Sequence, residues 1–383
     1  MENGQRFNGH DGKADDASGQ TLLFQPSPFG NLDAIVESDG RTVYFYLHEP
    51  SGAGRFGTRA CWVRNLIPGP YVLNEEDMKQ GRTPMLPRTY CVHPGERPLP
   101  DPEQLEVIWF EEGNGAALVE HGDDSEQILA VIPPWSGIDG FHGYALESAA
   151  ESPLCWPLPD NPLLHERVMR SRDFWQEFRL TAGNNPFSKL QKSTLACYEK
   201  AIGVEGTYYS IDGGNFPPRG LILFERDETI IVLTVAMGLV PQPAVELFTD
   251  SPVQFRRIEL GLIAGKATGH DLPSEEHQQA MVRQLSGLAA MPWQNWTWLG
   301  PGHSTAFDSM QHVHGPQTKS ALLAYGGAMT NQSLERIKSG LVDAVRRTLQ
   351  CTPDIKLPAF RDDPVNILWL APLTDAEQAM LAN

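Results

Sequence analysis

The sequence has no lysine or arginine between Arg97 and Arg167, although 14 carboxylates fall in that interval. The whole chain has a formal net charge of −18, and residues 1–160 contribute 25 acidic but only 10 basic side chains to it. Such a charge repels nucleic acids and anionic membranes and attracts basic surfaces. We therefore expect a cationic protein partner, and neither nucleic acid nor a membrane as a ligand.

The sequence also lacks long apolar runs, since the best candidates, Ile230–Val235 and Val365–Leu370, have only the length of a strand. Crossing a bilayer takes roughly 18 or more apolar residues. Residues 1–20 are polar and have no apolar core typical of a secretion signal. We interpret them as a flexible tail and expect a cytoplasmic protein.

The cysteines lack the close spacing of a metal knuckle or of a disulfide framework. The five of them are Cys61, Cys91, Cys155, Cys197 and Cys351. We expect free, buried thiols and no cofactor.

A chain of 383 residues is long enough for about two domains. Residues 21–160 read as an acidic, strand-rich domain, because short apolar runs alternate with Gly- and Pro-rich turns. Its predicted strands are Thr42–Leu47, Leu105–Phe110, Ala116–Glu120 and Gln127–Ile132. The proline-rich stretch Pro153–Pro162 predicts the boundary.

Residues 161–383 alternate strand and helix patterns, which predicts an α+β fold with a mixed sheet flanked by helices. A helix is expected over His165–Leu180, another after the cap Ser274, and a last one after the capping box Thr374–Glu377. The expected strands are Gly220–Glu225, Thr229–Val235, Phe255–Ile263, Ala321–Tyr325 and Val365–Leu370, with a further helical spacing from Leu334 to Leu349.

Four stretches of this second part, within about residues 200–383, resemble the suppressor-of-fused domain family. They are Thr234–Gly238 with Pro241–Pro243, Arg257–Leu262, Trp298–His303 and Val365–Glu377. The last is the most specific, because an apolar strand, a proline turn and a capped helix must follow in one order.

The resemblance implies a protein-binding module without chemistry of its own. Bacterial members are interpreted as immunity proteins that neutralise toxins, and an acidic immunity protein facing a basic toxin fits the charge distribution. The alternative within this class is an intracellular adaptor that binds an endogenous regulator, and the sequence does not separate the two.

Gly302–Ala306 approximates the nucleophile elbow Gly-x-Ser-x-Gly, which keeps a Ser304-dependent hydrolase open as an alternative. Asp308 or Glu335 and His312 are its candidate partners. Because a proline precedes the turn and no helix pattern follows it, we expect no enzyme.

A metal site is the second chemical alternative, since His303, Asp308, His312 and His314 bring ligand types together within twelve residues. No sure third ligand accompanies the pair His312 and His314. We expect solvated loop residues and no metal.

The expected partner-binding surface consists of carboxylates from the interval without basic residues, with one aromatic anchor. Its members are Glu111, Glu112, Asp123, Asp124, Glu126 and Trp135. Glu111 and Glu112 are expected on opposite faces of a strand, so that they do not act together. A competing possibility is that the arginines of the helix over His165–Leu180 (Arg167, Arg170, Arg172 and Arg179) neutralise this surface within the chain.

Overall fold

The computed structural model describes residues 19–50, 57–122, 125–159, 161–180, 184–268, 271–307, 319–325 and 342–380. Almost all of the tail expected over residues 1–20 lies outside these ranges. Gln20 already belongs to the first strand.

The first part of the chain contains an antiparallel four-stranded sheet in sequence order. Its strands are β1 (Gln20–Pro26), β2 (Asp33–Ser38), β3 (Thr42–His48) and β4 (Thr58–Asn65). Alternating burial along β2 shows that one face packs inward while the other is only partly buried. A short helix, α1 (Glu75–Lys79), follows in the Pro- and Gly-rich connection.

A five-stranded sheet packs against it. Its strands are β5 (Leu105–Trp109), β6 (Ala116–His121), β7 (Glu126–Ile132), β8 (Tyr144–Ala145) and β9 (Trp156–Pro157). The meander predicted from the alternating apolar runs and turns is confirmed for β5 to β7, which pair as consecutive antiparallel hairpins.

Two helices lead into the last sheet, α2 (Pro162–Phe178) and α3 (Pro186–Ile202). Each begins at an asparagine cap followed by proline, a combination that favours a helix start. Helix α2 packs Leu164 and Val168 against the five-stranded sheet, whereas Phe174 enters the core of the last sheet. This helix therefore joins the two parts of the molecule.

The last sheet has seven strands in the order β10-β11-β12-β13-β16-β15-β14. Their bounds are β10 (Thr207–Ser210), β11 (Gly220–Arg226), β12 (Thr229–Val235), β13 (Arg257–Gly265), β14 (Ser304–Ala306), β15 (Ser320–Tyr325) and β16 (Val365–Leu373). Strand β16 pairs in parallel with β13 and antiparallel with β15, so that the sheet is mixed.

Three further helices accompany this sheet: α4 (Glu275–Asn295), α5 (Val342–Leu349) and α6 (Asp375–Ala379). The predicted caps are confirmed, because Ser274 accepts from the backbone of His277 and Thr374 with Glu377 forms a capping box. The predicted α+β class is confirmed as well. Of the helical spacing expected from Leu334 to Leu349, the residues before 342 lie outside the described ranges.

Buried apolar residues form one core between the first two sheets and a larger core around the seven-stranded sheet. Cys61, Cys91 and Cys155 lie in the first of these cores as free thiols, and burial raises the pKa of Cys155 to about 11. Cys197 and Cys351 are only partly buried. No helix of the described residues is long and apolar enough to span a membrane.

Candidate functional site

Glu111 lies at the centre of the contact between the two parts of the molecule. The turn after β5 carries it to β13, where its Oε2 atom lies 2.5 Å from Nη2 of Arg257. Glu111 is 2% exposed and Arg257 is fully buried. Buried charges of this kind are tolerated only when they are paired and hydrogen-bonded.

Asp363 is the second carboxylate bound to Arg257. Its Oδ2 atom accepts from Nε of Arg257 at 3.0 Å and from Nη2 of Arg170 at 2.6 Å. Arg170 and Arg361 also place their Nε atoms 3.5 Å from Oε1 of Glu111. The chain segments joined here include the β5–β6 turn, α2, β13 and the loop before β16.

The contacts continue through Arg256, whose side chain lies 3.7 Å from Asp363 and 3.2 Å from Glu246. Glu246 is in turn 3.4 Å from Arg167, which also pairs with Glu112. Burial raises the pKa of Glu112, an effect that Arg167 opposes and that Glu246 reinforces. We call the connected set the arginine–carboxylate network; its members are Glu111, Glu112, Glu246, Asp363, Arg167, Arg170, Arg256, Arg257 and Arg361.

A cavity of about 690 Å³, the first cavity, lies beside this network. Charged members of the network form part of its wall, and apolar side chains form much of the rest. Leu163 and Leu247 belong to that wall and are 75% and 38% exposed. Clefts that combine apolar walls with a few fixed polar groups are typical binding sites.

Two side chains of β13, Arg257 and Glu259, bind the backbone of the turn after β12. Arg257 donates to the carbonyl oxygens of Gly238 and Leu239, at 3.1 and 2.5 Å. Glu259 accepts from the backbone N–H groups of Met237 and Gly238, at 3.2 and 3.1 Å, and from the Thr234 hydroxyl at 2.6 Å. These contacts fix the segment that leads to Pro241, which lines the first cavity.

Glu259 is fully buried and has no ion pair among the residues that the structure describes. Burial raises its pKa to about 7, although the hydrogen bonds from Thr234, Gly238 and Met237 act in the opposite direction. Its environment stabilises the charged form with dipoles alone.

Glu111 and Glu112, expected as carboxylates of the partner-binding surface, are not exposed side chains. Both are almost completely buried, because arginines of the second part of the chain neutralise them. They also do not face opposite sides of a strand, since both follow the end of β5 and line the first cavity.

The other predicted site residues have different positions. Glu126 is exposed but pairs with Arg172 of α2, and Trp135 lines the first cavity half-buried. Asp123 and Asp124 lie outside the described residues. Of the four helix arginines expected as possible internal partners, Arg167, Arg170 and Arg172 make such pairs.

Ser304 does not have the position that a nucleophile elbow requires. It is an exposed residue at the start of β14, an edge strand, rather than on a turn between a strand and a helix. Its neighbour His303 accepts from the backbone N–H of Gly300 and packs against Trp298. The proposed partners Asp308, His312 and Glu335 lie outside the described residues.

Of the four residues that bring metal-ligand types together in the sequence, only His303 lies within the described ranges. No group of three or more His, Cys, Asp or Glu side chains there is arranged to hold a metal ion. His314, like His312 and Asp308, falls outside the described ranges. Burial lowers the pKa of His303, which favours a neutral imidazole.

The seven-stranded sheet, with its central β13–β16 pair, and the closing helix α6 belong to one segment of the chain. This segment can be compared with known families. Residues 217–383 match the family model of the suppressor of fused protein (SUFU). The resemblance drawn from the four sequence stretches is thereby confirmed for this segment. A SUFU domain indicates a role in protein–protein interaction in general. Neither a curated protein nor a solved structure matches the chain.

Most residues of the arginine–carboxylate network were not singled out by sequence reasoning. Arg256 and Arg257 are adjacent and Glu246 is close to them in sequence, but Asp363 lies more than 100 positions later, and only the fold brings it to these residues. One signal was present, because Arg257 and Glu259 interrupt an otherwise apolar strand. A charged side chain in a strand that is buried on both faces requires a buried partner.

Proposed function

We propose that this chain is a non-catalytic immunity-type protein that binds and neutralises a basic toxin domain, and that the rim of the first cavity is its docking surface. The observation that carries the proposal is the combination of an open cavity with exposed apolar side chains around it, next to a SUFU domain.

The apolar rim supplies the contact area. Leu163 and Leu247 line the cavity, and Phe248, the residue after Leu247, is 66% exposed and stacks on Trp298. Exposed apolar side chains that cluster beside a cleft mark interaction sites, and large aromatic anchors contribute most of the binding energy.

Polar side chains in the cavity wall are already held in position in the absence of a partner. Both carboxylate oxygens of Glu246 are buried without a hydrogen bond in the described structure, although Arg167 and Arg256 lie within ion-pair distance of Oε1. The cavity therefore retains acceptor capacity for a donor on a partner's side chain. Preorganised groups of this kind reduce the cost of binding.

Long-range attraction rests on carboxylates other than the predicted ones. Asp101, Glu103, Asp139 and Glu151 are exposed, and no ion pair within the described ranges involves them. Together with the net charge of −18, they support steering of a cationic partner.

The test is co-expression with the toxin-like products of neighbouring coding regions, followed by measurement of the affinity of the purified pair. We expect rescue of growth by the wild-type chain. Leu163→Asp should weaken binding at least about tenfold, because it places a charge in an apolar contact. Val72→Asp is the matched control, since Val72 is also 75% exposed but does not line the cavity.

Failure to rescue growth from every neighbouring toxin-like product would remove the immunity function. A partner that proves to be an endogenous regulator would identify an adaptor instead. The association rate should be lower at physiological than at low ionic strength. An association rate that does not depend on ionic strength would show that electrostatic steering does not contribute. Covalent labelling by a fluorophosphonate that is lost in Ser304→Ala would contradict the non-catalytic assignment.

A further inference from the structure

A second cavity, of about 780 Å³, lies between the loop after β1, the end of β3, the loop after β10 and helix α4. Its described lining residues include none of those that line the first cavity and no member of the arginine–carboxylate network. Its wall combines Arg219 with amide and hydroxyl side chains and three aromatic rings.

Arg219 is the one lysine or arginine among the described residues that line this cavity. Its Nη1 atom donates to the carbonyl oxygen of Ala289 at 3.0 Å, and its Nε atom is buried without a hydrogen bond. Among the described residues no carboxylate lies within ion-pair distance of its guanidinium. Burial lowers the pKa of Arg219, with Asp212 acting in the opposite direction.

The neighbouring Asp212 does not serve as the partner of this guanidinium, because other donors occupy its oxygen atoms. It accepts from the backbone N–H groups of Gly214 and Arg219, at 2.6 and 3.0 Å, and from the Ser210 hydroxyl at 3.2 Å. Glu49 also lines the cavity and is buried. The negative charge of Asp212 favours a monoanionic ligand over a phosphate dianion.

The aromatic walls define the body of the ligand. Phe29 and Phe216 meet edge to face with their ring centroids 4.8 Å apart, and the guanidinium of Arg219 lies 5.8 Å from the ring centroid of Trp293. Flat apolar groups pack well against such rings. Gly287 of α4 leaves this part of the wall open, since a Cβ atom there would meet nothing within 4 Å.

We propose that the second cavity binds a small monocarboxylate with a flat apolar body, held by Arg219 and enclosed by Phe29, Phe216 and Trp293. A guanidinium binds a carboxylate through short, charge-assisted hydrogen bonds, and Arg219 has no such partner in the described structure. This binding activity is independent of the proposed immunity function.

The test uses phenylacetate and its neutral analogue phenylacetamide in calorimetric titrations of the full chain. We expect saturable binding of phenylacetate at millimolar concentration or below, and at least about tenfold weaker binding of phenylacetamide, because loss of the charge removes the ionic hydrogen bonds. Arg219→Gln should lose phenylacetate binding by a similar factor, whereas Arg219→Lys should retain part of it.

A second pair of variants keeps the test valid if substitution of Arg219 disturbs folding. Gly287→Leu places a large side chain at the cavity wall and should abolish binding, and Gly287→Ala is the matched control that should leave it intact. Absence of saturable phenylacetate binding to the wild-type chain, equal binding of phenylacetamide, or unchanged affinity in Gly287→Leu would each overturn the proposal.

Discussion

Two buried carboxylates, Glu111 beside β13 and Glu259 on it, differ in how their charge is balanced. Glu111 lies among arginines, of which Arg257 is the nearest at 2.5 Å. Among the residues that the structure describes, Glu259, on β13 itself, accepts only from Thr234 and from backbone N–H groups, and its pKa rises to about 7. Both carboxylates are almost completely buried, so that the extent of burial does not explain why their partners differ.

The comparison separates two ways of keeping a carboxylate inside a protein. When the partners are cations from distant segments, the buried carboxylate is stable only if those segments are packed together. Removing one partner leaves an unpaired buried charge. Dipoles from a local turn stabilise the charge less completely, so that protonation near neutral pH becomes favourable. The first arrangement joins the two parts of this molecule, and the second fixes one turn.

The largest effect is expected from Arg257→Met. Loss of this guanidinium leaves Glu111 and Asp363 without their shared buried partner, and the free energy of unfolding should fall by about 3–5 kcal/mol. Chemical denaturation measures it. Arg346→Met is the control, because the exposed Arg346–Asp343 pair should contribute less than about 1 kcal/mol. Equal effects of the two substitutions would show that burial of the network adds no stability.

Glu259 should make stability depend on pH with the opposite sign from an ordinary ion-paired carboxylate. Its folded-state pKa is raised from 4.5 to about 7, so its contribution is fully present below pH 4.5 and is lost as the pH rises through 7. The loss amounts to about 3 kcal/mol, at about 1.4 kcal/mol for each pKa unit. In Glu259→Gln the decrease in the free energy of unfolding between pH 4.5 and pH 7 should be absent.

Denaturant midpoints measured between pH 5 and pH 8 test this expectation. Glu225→Gln, at an exposed position of β11, controls for the loss of one charge. A wild-type stability that rises with pH over this interval, with Glu259→Gln following the same curve, would contradict it.

Glu377 is a third carboxylate for this comparison, and the loss of stability expected from a substitution at its site is smaller. Like Glu259 it accepts from a threonine hydroxyl, Thr374 at 2.7 Å, and from a backbone N–H, but it also pairs with Arg347. Burial alone would raise its pKa, yet the hydrogen bonds of Thr374 and the contact with Arg347 lower it overall. The stabilisation is therefore present at neutral pH and lost as the pH falls through the folded-state pKa.

Thr374→Ala should cost about 1 kcal/mol at neutral pH, because it removes the cap of α6. Unfolding curves at pH 7 and at acidic pH measure it. A cost that grows on acidification would mean that the cap does not act through the ionised carboxylate.

Local signals predicted local structure well. The strand Thr229–Val235 has the bounds expected from its apolar run, and the hairpin turn before it uses Asp227 and Glu228 at positive φ. The caps Ser274 and Thr374 were also correct, because a cap depends on residues three positions apart. Helix α3 and strands β1 and β2 were not predicted, although α3 begins with a recognisable asparagine–proline start.

The candidate site was predicted poorly because its interactions are long-range. Glu111 meets Arg257 across 146 positions, and Arg257 meets Asp363 across 106. A stretch without basic residues therefore says nothing about whether its acids face solvent, since the neutralising cations come from elsewhere in the chain. The charge of Arg257 within an apolar strand was the available clue.

The insertion of β16 between β13 and β15 has a consequence for biosynthesis. Both neighbours precede β16 in the chain, so the backbone groups on their facing edges remain unpaired until β16 is available to pair with them. Open strand edges recruit other chains, and pairing across such a sequence distance is slow. Released chains truncated before Val365 should therefore depend on chaperones, whereas released chains that contain Val365–Leu373 should close the sheet and no longer need them.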